Sequence, residues 1–84
     1  MKFKVGDKVR VKRIQELSAL FGYPHQGACG MTIVMPDGFN FTSAMEPCCG
    51  KVMTIRRVFN FGYYLDGIDG NYFFTDAMLD RVRG

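Results

Sequence analysis

Hydrophobic and polar residues alternate at the start of the chain. Within residues 5–14, Val9 and Val11 share one side of an extended strand, and the other side carries a row of bases. Successive side chains of a strand point to opposite faces. The pattern therefore predicts a first strand with one apolar face and one basic face, the basic face carrying Lys8, Arg10 and Lys12.

The period changes after the first strand. Leu17, Leu20 and Phe21 have the spacing of one helix face, and Gly22 follows them. A glycine just beyond the last periodic residue is typical of a helix end. The pattern predicts a short helical turn over residues 15–21.

Residues 23–47 show no sustained period, and they contain all three prolines and the only histidine. A brief strand at 33–35 and a short helical piece at 42–46 are the only elements indicated there. A long irregular segment in so small a domain is usually functional, held by a staple, or mobile. We expect an irregular loop over residues 23–50, outside the main sheet.

The second half of the chain is again regular. Residues 51–59 form the longest predicted strand, with Met53 and Ile55 facing inward, and the adjacent pair Arg56-Arg57 predicts a β-bulge. The other predicted elements are a tight turn at 60–62, a strand at 63–68, a hairpin turn at 69–71, a strand at 72–74, a one-turn helix at 75–79 and a closing segment at 80–82.

This order of elements predicts the fold class. Five short strands, a long loop after the first, tight hairpins and a helical turn before the last are typical of a mostly β, five-stranded SH3-like small barrel. With 84 residues, 48% hydrophobic and 23% charged, the chain is expected to form one globular domain, 1–84, and is too apolar to be disordered.

The net charge and the number of cysteines argue against several classes of protein. The formal net charge of +3 is mildly basic, which is too little for a strongly basic nucleic-acid protein and has the wrong sign for a mimic of DNA. The charged N-terminus does not resemble a signal peptide, and no apolar run is long enough to span a bilayer. Three cysteines, two of them adjacent, make a poor disulfide framework. We therefore expect a reducing, cytoplasmic location.

Three parts of the chain carry a family resemblance: residues 1–11, residues 49–55, and residues 62–65 together with 74–79. They resemble small SH3-like proteins encoded by phages and prophages of Gram-positive bacteria. Such proteins often carry Trp near the position of Phe74, and this chain has no Trp. The resemblance implies a non-enzymatic, phage-derived anti-CRISPR protein that binds a type II RNA-guided nuclease in the bacterial cytosol and blocks DNA loading or cleavage.

One cluster of residue types is typical of a metal site. Zinc prefers thiolate and imidazole ligands in a tetrahedron, and the candidates are His25, Cys29, Cys48 and Cys49, with Asp37 or Glu46 as possible replacements for one ligand. A structural zinc ion would tie together the two ends of the 23–50 loop. The alternative is that Cys49 is buried at the start of a strand while Cys48 and His25 are surface residues.

Two further sets of residues are candidate partner contacts. The basic row of the first strand, joined by Lys51, Arg56 and Arg57, could meet an acidic protein surface or phosphates, or could simply be a solvated exterior. Neighbouring strand residues face opposite sides, so Tyr63 and Tyr64 cannot both be buried, nor can Phe73 and Phe74. Phe39 and Phe41, in a turn-rich segment, are the aromatic pair expected to contact a partner.

Catalysis has little support in the sequence. Only a Cys29–His25 dyad is available for nucleophilic chemistry, with no evident third group to orient the base. No phosphate-binding glycine loop is present. The sequence therefore favours a protein-binding module, with a nucleic-acid-binding barrel as the alternative.

Overall fold

The computed structural model describes residues 2–27, 30–36, 38–67 and 72–82. The helical elements in these ranges are α1 (Ile14–Phe21) and two 3₁₀ helices, Ser43–Cys48 and Asp76–Met78. None of them is long and apolar enough to cross a membrane. The strands in these ranges are β1 (Lys8–Val11), β2 (His25–Gly27), β3 (Gly30–Val34), β4 (Asn40–Thr42), β5 (Val52–Phe59), β6 (Gly62–Leu65) and β7 (Leu79–Arg81).

The first sheet is antiparallel and has the strand order β6-β5-β1-β7. On β1 the predicted alternation is confirmed, because Val9 and Val11 are fully buried while Lys8 is exposed. Each inward side chain of β1 thus lies on the core, and each outward side chain lies on the sheet's exterior.

The segment before β7 connects the two edge strands of this sheet, β6 and β7. Phe74 forms an isolated antiparallel bridge with Tyr63 of β6, through hydrogen bonds of 2.8 and 3.0 Å. The chain then passes through the second 3₁₀ helix into β7, which pairs with β1. The mostly β prediction is confirmed. A closed five-stranded barrel is not, because the described residues form this four-stranded sheet and a separate three-stranded sheet.

The three-stranded sheet occupies the segment for which the sequence predicted an irregular loop. Its strands have the order β2-β3-β4, and Ile33 pairs with Phe41 across β3 and β4. The loop prediction is therefore corrected: the described part of 23–50 is a small sheet followed by a 3₁₀ helix. The brief strand predicted at 33–35 overlaps β3, and the helical piece predicted at 42–46 overlaps the 3₁₀ helix. Strands of three to five residues are too short to show a sustained period, so their pairing into a sheet was not predicted.

Helix α1 confirms the predicted helical turn and begins one residue earlier. The backbone N–H of Arg13 donates to the Glu16 carboxylate at 3.2 Å, which pairs a polar group at the helix start. The helix ends at Gly22, whose φ of 102° favours glycine and whose N–H donates to the Ser18 carbonyl. Leu17 is the side chain that α1 buries.

Both sheets pack on one hydrophobic core. Tyr63 and Phe74 of the first sheet and Ile33 and Phe41 of the second are each at most 1% exposed. The other buried apolar residues are Phe3, Val9, Val11, Leu17, Met35, Met45, Cys48, Ile55, Leu65, Met78 and Leu79. The core therefore fixes the position of the β5–β6 hairpin, whose outer face carries the candidate site.

Candidate functional site

A β-bulge on β5 places two arginines side by side on the surface. The register between β5 and β6 shifts after the Ile55–Leu65 pair, and Arg57 pairs with Tyr64. The extra residue, Arg56, breaks the strict alternation, so that Arg56 and Arg57 are both exposed. The bulge predicted from the adjacent arginines is confirmed.

Beyond the bulge, three aromatic rings cover the outer face of the hairpin. Phe59 lies edge-on to Tyr64, with ring centroids 4.7 Å apart, and edge-on to Phe73, at 5.0 Å. Tyr64 and Phe73 also contact each other at 5.0 Å. Such edge-to-face and tilted pairs are the favoured geometries of aromatic contacts.

A glycine beneath the rings makes this packing possible. Gly62 pairs with Phe59 in the sheet, and a Cβ atom added to it would lie 3.1 Å from Cδ1 of Phe73 and 3.0 Å from the carbonyl oxygen of Phe74. The space that a side chain would fill is thus taken by the Phe73 ring, as is common where a strand glycine allows a close approach.

The second sheet contributes one more ring to the cluster. Phe39, from the β3–β4 connection, stacks on Phe61 with centroids 5.5 Å apart and ring planes 10° apart. Phe61 also contacts Phe73 at 5.2 Å and is 52% exposed. The rings thus form one contiguous surface from both sheets. We call this surface, with its two arginines, the aromatic–arginine face: Phe39, Arg56, Arg57, Phe59, Phe61, Tyr64 and Phe73.

Both arginines lie over rings of this face. The guanidinium carbon of Arg57 is 4.8 Å from the centroid of Phe59, and that of Arg56 is 5.5 Å from the centroid of Tyr64. These are cation–π distances. Arg56 is also 3.8 Å from the Asp66 carboxylate, in a pair whose two side chains are half exposed. The face is therefore apolar at its centre and positively charged at its edge.

The basic row of β1 does not present a comparable charge. Arg10 makes two 2.8 Å hydrogen bonds to Glu16 and one of 2.6 Å to Asp80, while Lys12 lies 2.5 Å from Asp80 and Lys8 remains exposed. The Arg10 hydrogen bonds lower the pKa of Glu16 to about 2. Two of the three bases proposed as partner contacts are thus paired with carboxylates of their own chain.

The expected aromatic pair is divided by the structure. Phe39 lies in the aromatic–arginine face, but Phe41 is 1% exposed and belongs to the core. The register of β4, in which Phe41 opposes the buried Ile33, explains this position. Phe41 is therefore corrected from a surface contact to a core residue.

The sequence could not name four of the rings in this face. It required one member of each neighbouring aromatic pair to face outward, and the structure shows that Tyr64 and Phe73 do so, while Tyr63 and Phe74 are fully buried. Phe59 and Phe61 had no such signal, because neither has an aromatic residue directly beside it in the chain.

The proposed zinc ligands are only partly described. Cys29 and the alternative ligand Asp37 lie outside the described residues. Of the others, His25 is exposed on β2, Cys48 is buried and Cys49 is half-buried, and burial raises the pKa of both thiols. Within the described ranges, no three His, Cys, Asp or Glu side chains form a group that could hold a metal ion. The zinc site remains a prediction.

A shallow concavity lies between α1, β3 and the first 3₁₀ helix. Its volume is about 220 Å³, and its lining is mostly apolar, with Ile14, Met31 and Ile33 among the residues. Glu46 is the one ionisable side chain among its described lining residues. A single carboxylate does not supply the paired groups that general acid–base chemistry uses.

Comparisons with known proteins identified no relative of the chain. No family model, curated protein or solved structure matches the chain.

Proposed function

We propose that this chain is a non-enzymatic protein-binding module that binds its partner through the aromatic–arginine face. One observation carries the proposal: five rings in mutual contact form a surface at the edge of both sheets, with Phe61 at its exposed end and two arginines on its border. Aromatic and arginine side chains are enriched in protein interfaces, and Tyr and Arg are frequent among the few residues that dominate the binding energy.

The composition of the face favours binding, and the packing of its rings favours binding too. Phe59, Tyr64 and Phe73 are each half-buried and held by neighbouring rings. Side chains that are already fixed lose little conformational freedom when a partner covers them. The face thus combines apolar area with preorganisation, and no chemical step is needed for it to act.

The order of the pairings supports the SH3-like form of the fold. The long strand β5 follows the second sheet and the first 3₁₀ helix, and a tight hairpin connects it to β6. Phe74 then bridges to β6, and β7 pairs with β1 after the second 3₁₀ helix. A five-segment barrel with this order is what the resemblance to phage-encoded proteins implies. On that resemblance, the proposed partner is a type II RNA-guided nuclease of the host cytosol, inhibited by occupation of one of its surfaces.

A cleavage assay tests this function. Purified protein is mixed with several type II effectors carrying guide RNA, and cleavage of target DNA is measured. We expect inhibition of at least one effector, and we expect Phe61→Ser to abolish it. Leu20→Ser is the matched control, because Leu20 is a similarly exposed apolar residue (60%) on α1. Unchanged cleavage by all effectors would count against the nuclease as partner.

Nucleic-acid binding is the second candidate function. The observation that favours it is the contact of two guanidinium groups with aromatic rings, since arginine beside exposed rings also serves single-stranded nucleic acids. Its test is the affinity for labelled single-stranded DNA over a range of salt concentrations. Phosphate contacts would make that affinity fall steeply with salt, and Arg57→Gln would reduce the slope by about one.

A further inference from the structure

Arg57 of the aromatic–arginine face is exposed, and its positive charge is open to an incoming group. Within the described residues, no carboxylate lies within ion-pair distance of Arg57. Arg56, its neighbour on the bulge, pairs with the Asp66 carboxylate at 3.8 Å. An incoming anionic group can therefore approach Arg57 without displacing an ion pair with any described carboxylate.

The bases on and just after β1 differ from Arg57, because carboxylates of the same chain pair with them. There, Arg10 and Lys12 share Asp80, and Arg10 also binds Glu16. The chain thus pairs Arg10 and Lys12 with carboxylates, whereas Arg57 lies beside an apolar surface. Arg57 is thus an exposed cation that borders the rings on the outer face of the β5–β6 hairpin.

The position of Arg57 also suits one kind of anion. Its guanidinium lies over the Phe59 ring at 4.8 Å, so the ring limits the orientations that the side chain can take. A guanidinium held in this way presents its N–H groups along its edge, in the fork that matches the two oxygens of a carboxylate.

We propose that the partner presents an acidic segment, in which an Asp or Glu carboxylate binds Arg57 while a neighbouring apolar side chain packs on Phe61. This inference rests on the proposed protein-binding function and adds the chemistry of the partner to it. Charge complementarity carries it: the face offers the exposed guanidinium group of Arg57 at the edge of an apolar surface, and an acidic–apolar segment matches both.

The exposure of the rings favours a protein segment over a nucleic acid. Single-stranded nucleic acids stack successive bases on several open ring faces and follow a continuous track of cations. Here Phe59, Tyr64 and Phe73 are half-buried against one another, and one face of Phe61 is covered by Phe39. The face therefore offers one exposed apolar anchor beside a local charge.

A displayed peptide library tests the inference on the full chain. Random peptides are selected on the immobilised protein, and one enriched peptide is synthesised with a fluorescent label. Its affinity is compared with that of the same peptide carrying Asn and Gln in place of Asp and Glu, and with that of a labelled oligothymidylate. The protein variants are Arg57→Gln, Phe61→Ser and Lys51→Gln, the last a control because Lys51 is an exposed cation just before β5.

We expect acidic–apolar peptides to be enriched. Replacing the Asp and Glu residues of the peptide by Asn and Gln should weaken binding roughly tenfold, and so should Arg57→Gln in the protein, because each change removes a charge-assisted pair. Lys51→Gln should leave the affinity unchanged. Peptides without acids whose binding depends on Phe61 but not on Arg57 would overturn the acidic partner and leave the binding face standing. Tighter binding of oligothymidylate than of any peptide would assign a nucleic-acid ligand instead. No enrichment at all would count against the protein-binding function itself.

Discussion

The packing of the Phe73 ring over Gly62 gives the most direct test of how the candidate site is built. In Gly62→Ala, the new Cβ would lie 3.0 Å from the Phe74 carbonyl oxygen and 3.1 Å from Cδ1 of Phe73. The Phe74 carbonyl cannot retreat freely, because it accepts a 2.8 Å hydrogen bond from the N–H of Tyr63. The ring of Phe73 must therefore shift by a few tenths of an ångström.

The size of the effect follows from two opposing contributions. Overpacking by one methyl group costs about 1–3 kcal/mol. Replacing glycine by alanine restricts the unfolded chain and returns about 0.4–1 kcal/mol. We expect the free energy of unfolding of Gly62→Ala to fall by about 1–2 kcal/mol, which for a domain of this size lowers Tm by about 4–15 °C.

Urea denaturation followed by far-UV circular dichroism measures this loss. The matched comparison is Gly62→Ala in a Phe73→Leu background, where the smaller side chain removes one of the two close contacts. The cost of the alanine should then be about half as large, since coupled neighbours are not additive. A Gly62→Ala protein as stable as the wild type would refute the tight packing of Phe73 over the glycine, and so would an equal cost of the alanine in both backgrounds.

Three further predictions concern other parts of the molecule. The hydrogen bonds of Arg10 lower the pKa of Glu16 from 4.5 to about 2 in the folded chain, so the partly exposed ion pair should stabilise the fold by at most about 1 kcal/mol above pH 4.5 and lose this contribution as the pH falls toward 2. The difference in unfolding free energy between wild type and Glu16→Gln should therefore shrink over this pH range, and a constant difference would contradict the prediction. Tyr63→Phe should cost about 1–3 kcal/mol in urea denaturation, because the buried hydroxyl accepts the Phe3 N–H at 3.1 Å, while Tyr64→Phe on the outer face should cost less than about 0.5 kcal/mol. If the zinc site exists, protein purified without added metal should contain about one equivalent of zinc by elemental analysis, and Cys29→Ser should lose it; a folded, metal-free wild type would exclude the site.

Local features of the sequence were sufficient for several elements. The alternation on β1, the end of α1 at Gly22 and the bulge at Arg56-Arg57 are all present in the structure. Each depends on neighbouring residues only: side-chain direction along a strand, the positive φ open to glycine, and the packing of consecutive charged residues on one surface. Such features can be predicted without knowing where the rest of the chain lies.

Pairing between distant segments decided what local patterns could not. The strands of the second sheet are too short to show a period. The register of β4 buries Phe41 opposite Ile33, whereas Phe39 lies before β4 and joins the surface by stacking on Phe61. The pairing of Arg10 with Asp80 joins residues seventy positions apart and compensates a charge that the sequence presented as available to a partner.

The amino-acid sequence by itself determined that this chain is mostly β, where its basic and aromatic residues are, and that some aromatic side chains must face outward. Only the tertiary structure decided which rings meet, which arginines stay available to a partner, and that residues from both sheets form one face. The physical reason is that contacts between distant segments depend on strand register and on the shared core, and neither is encoded in the local period of side chains.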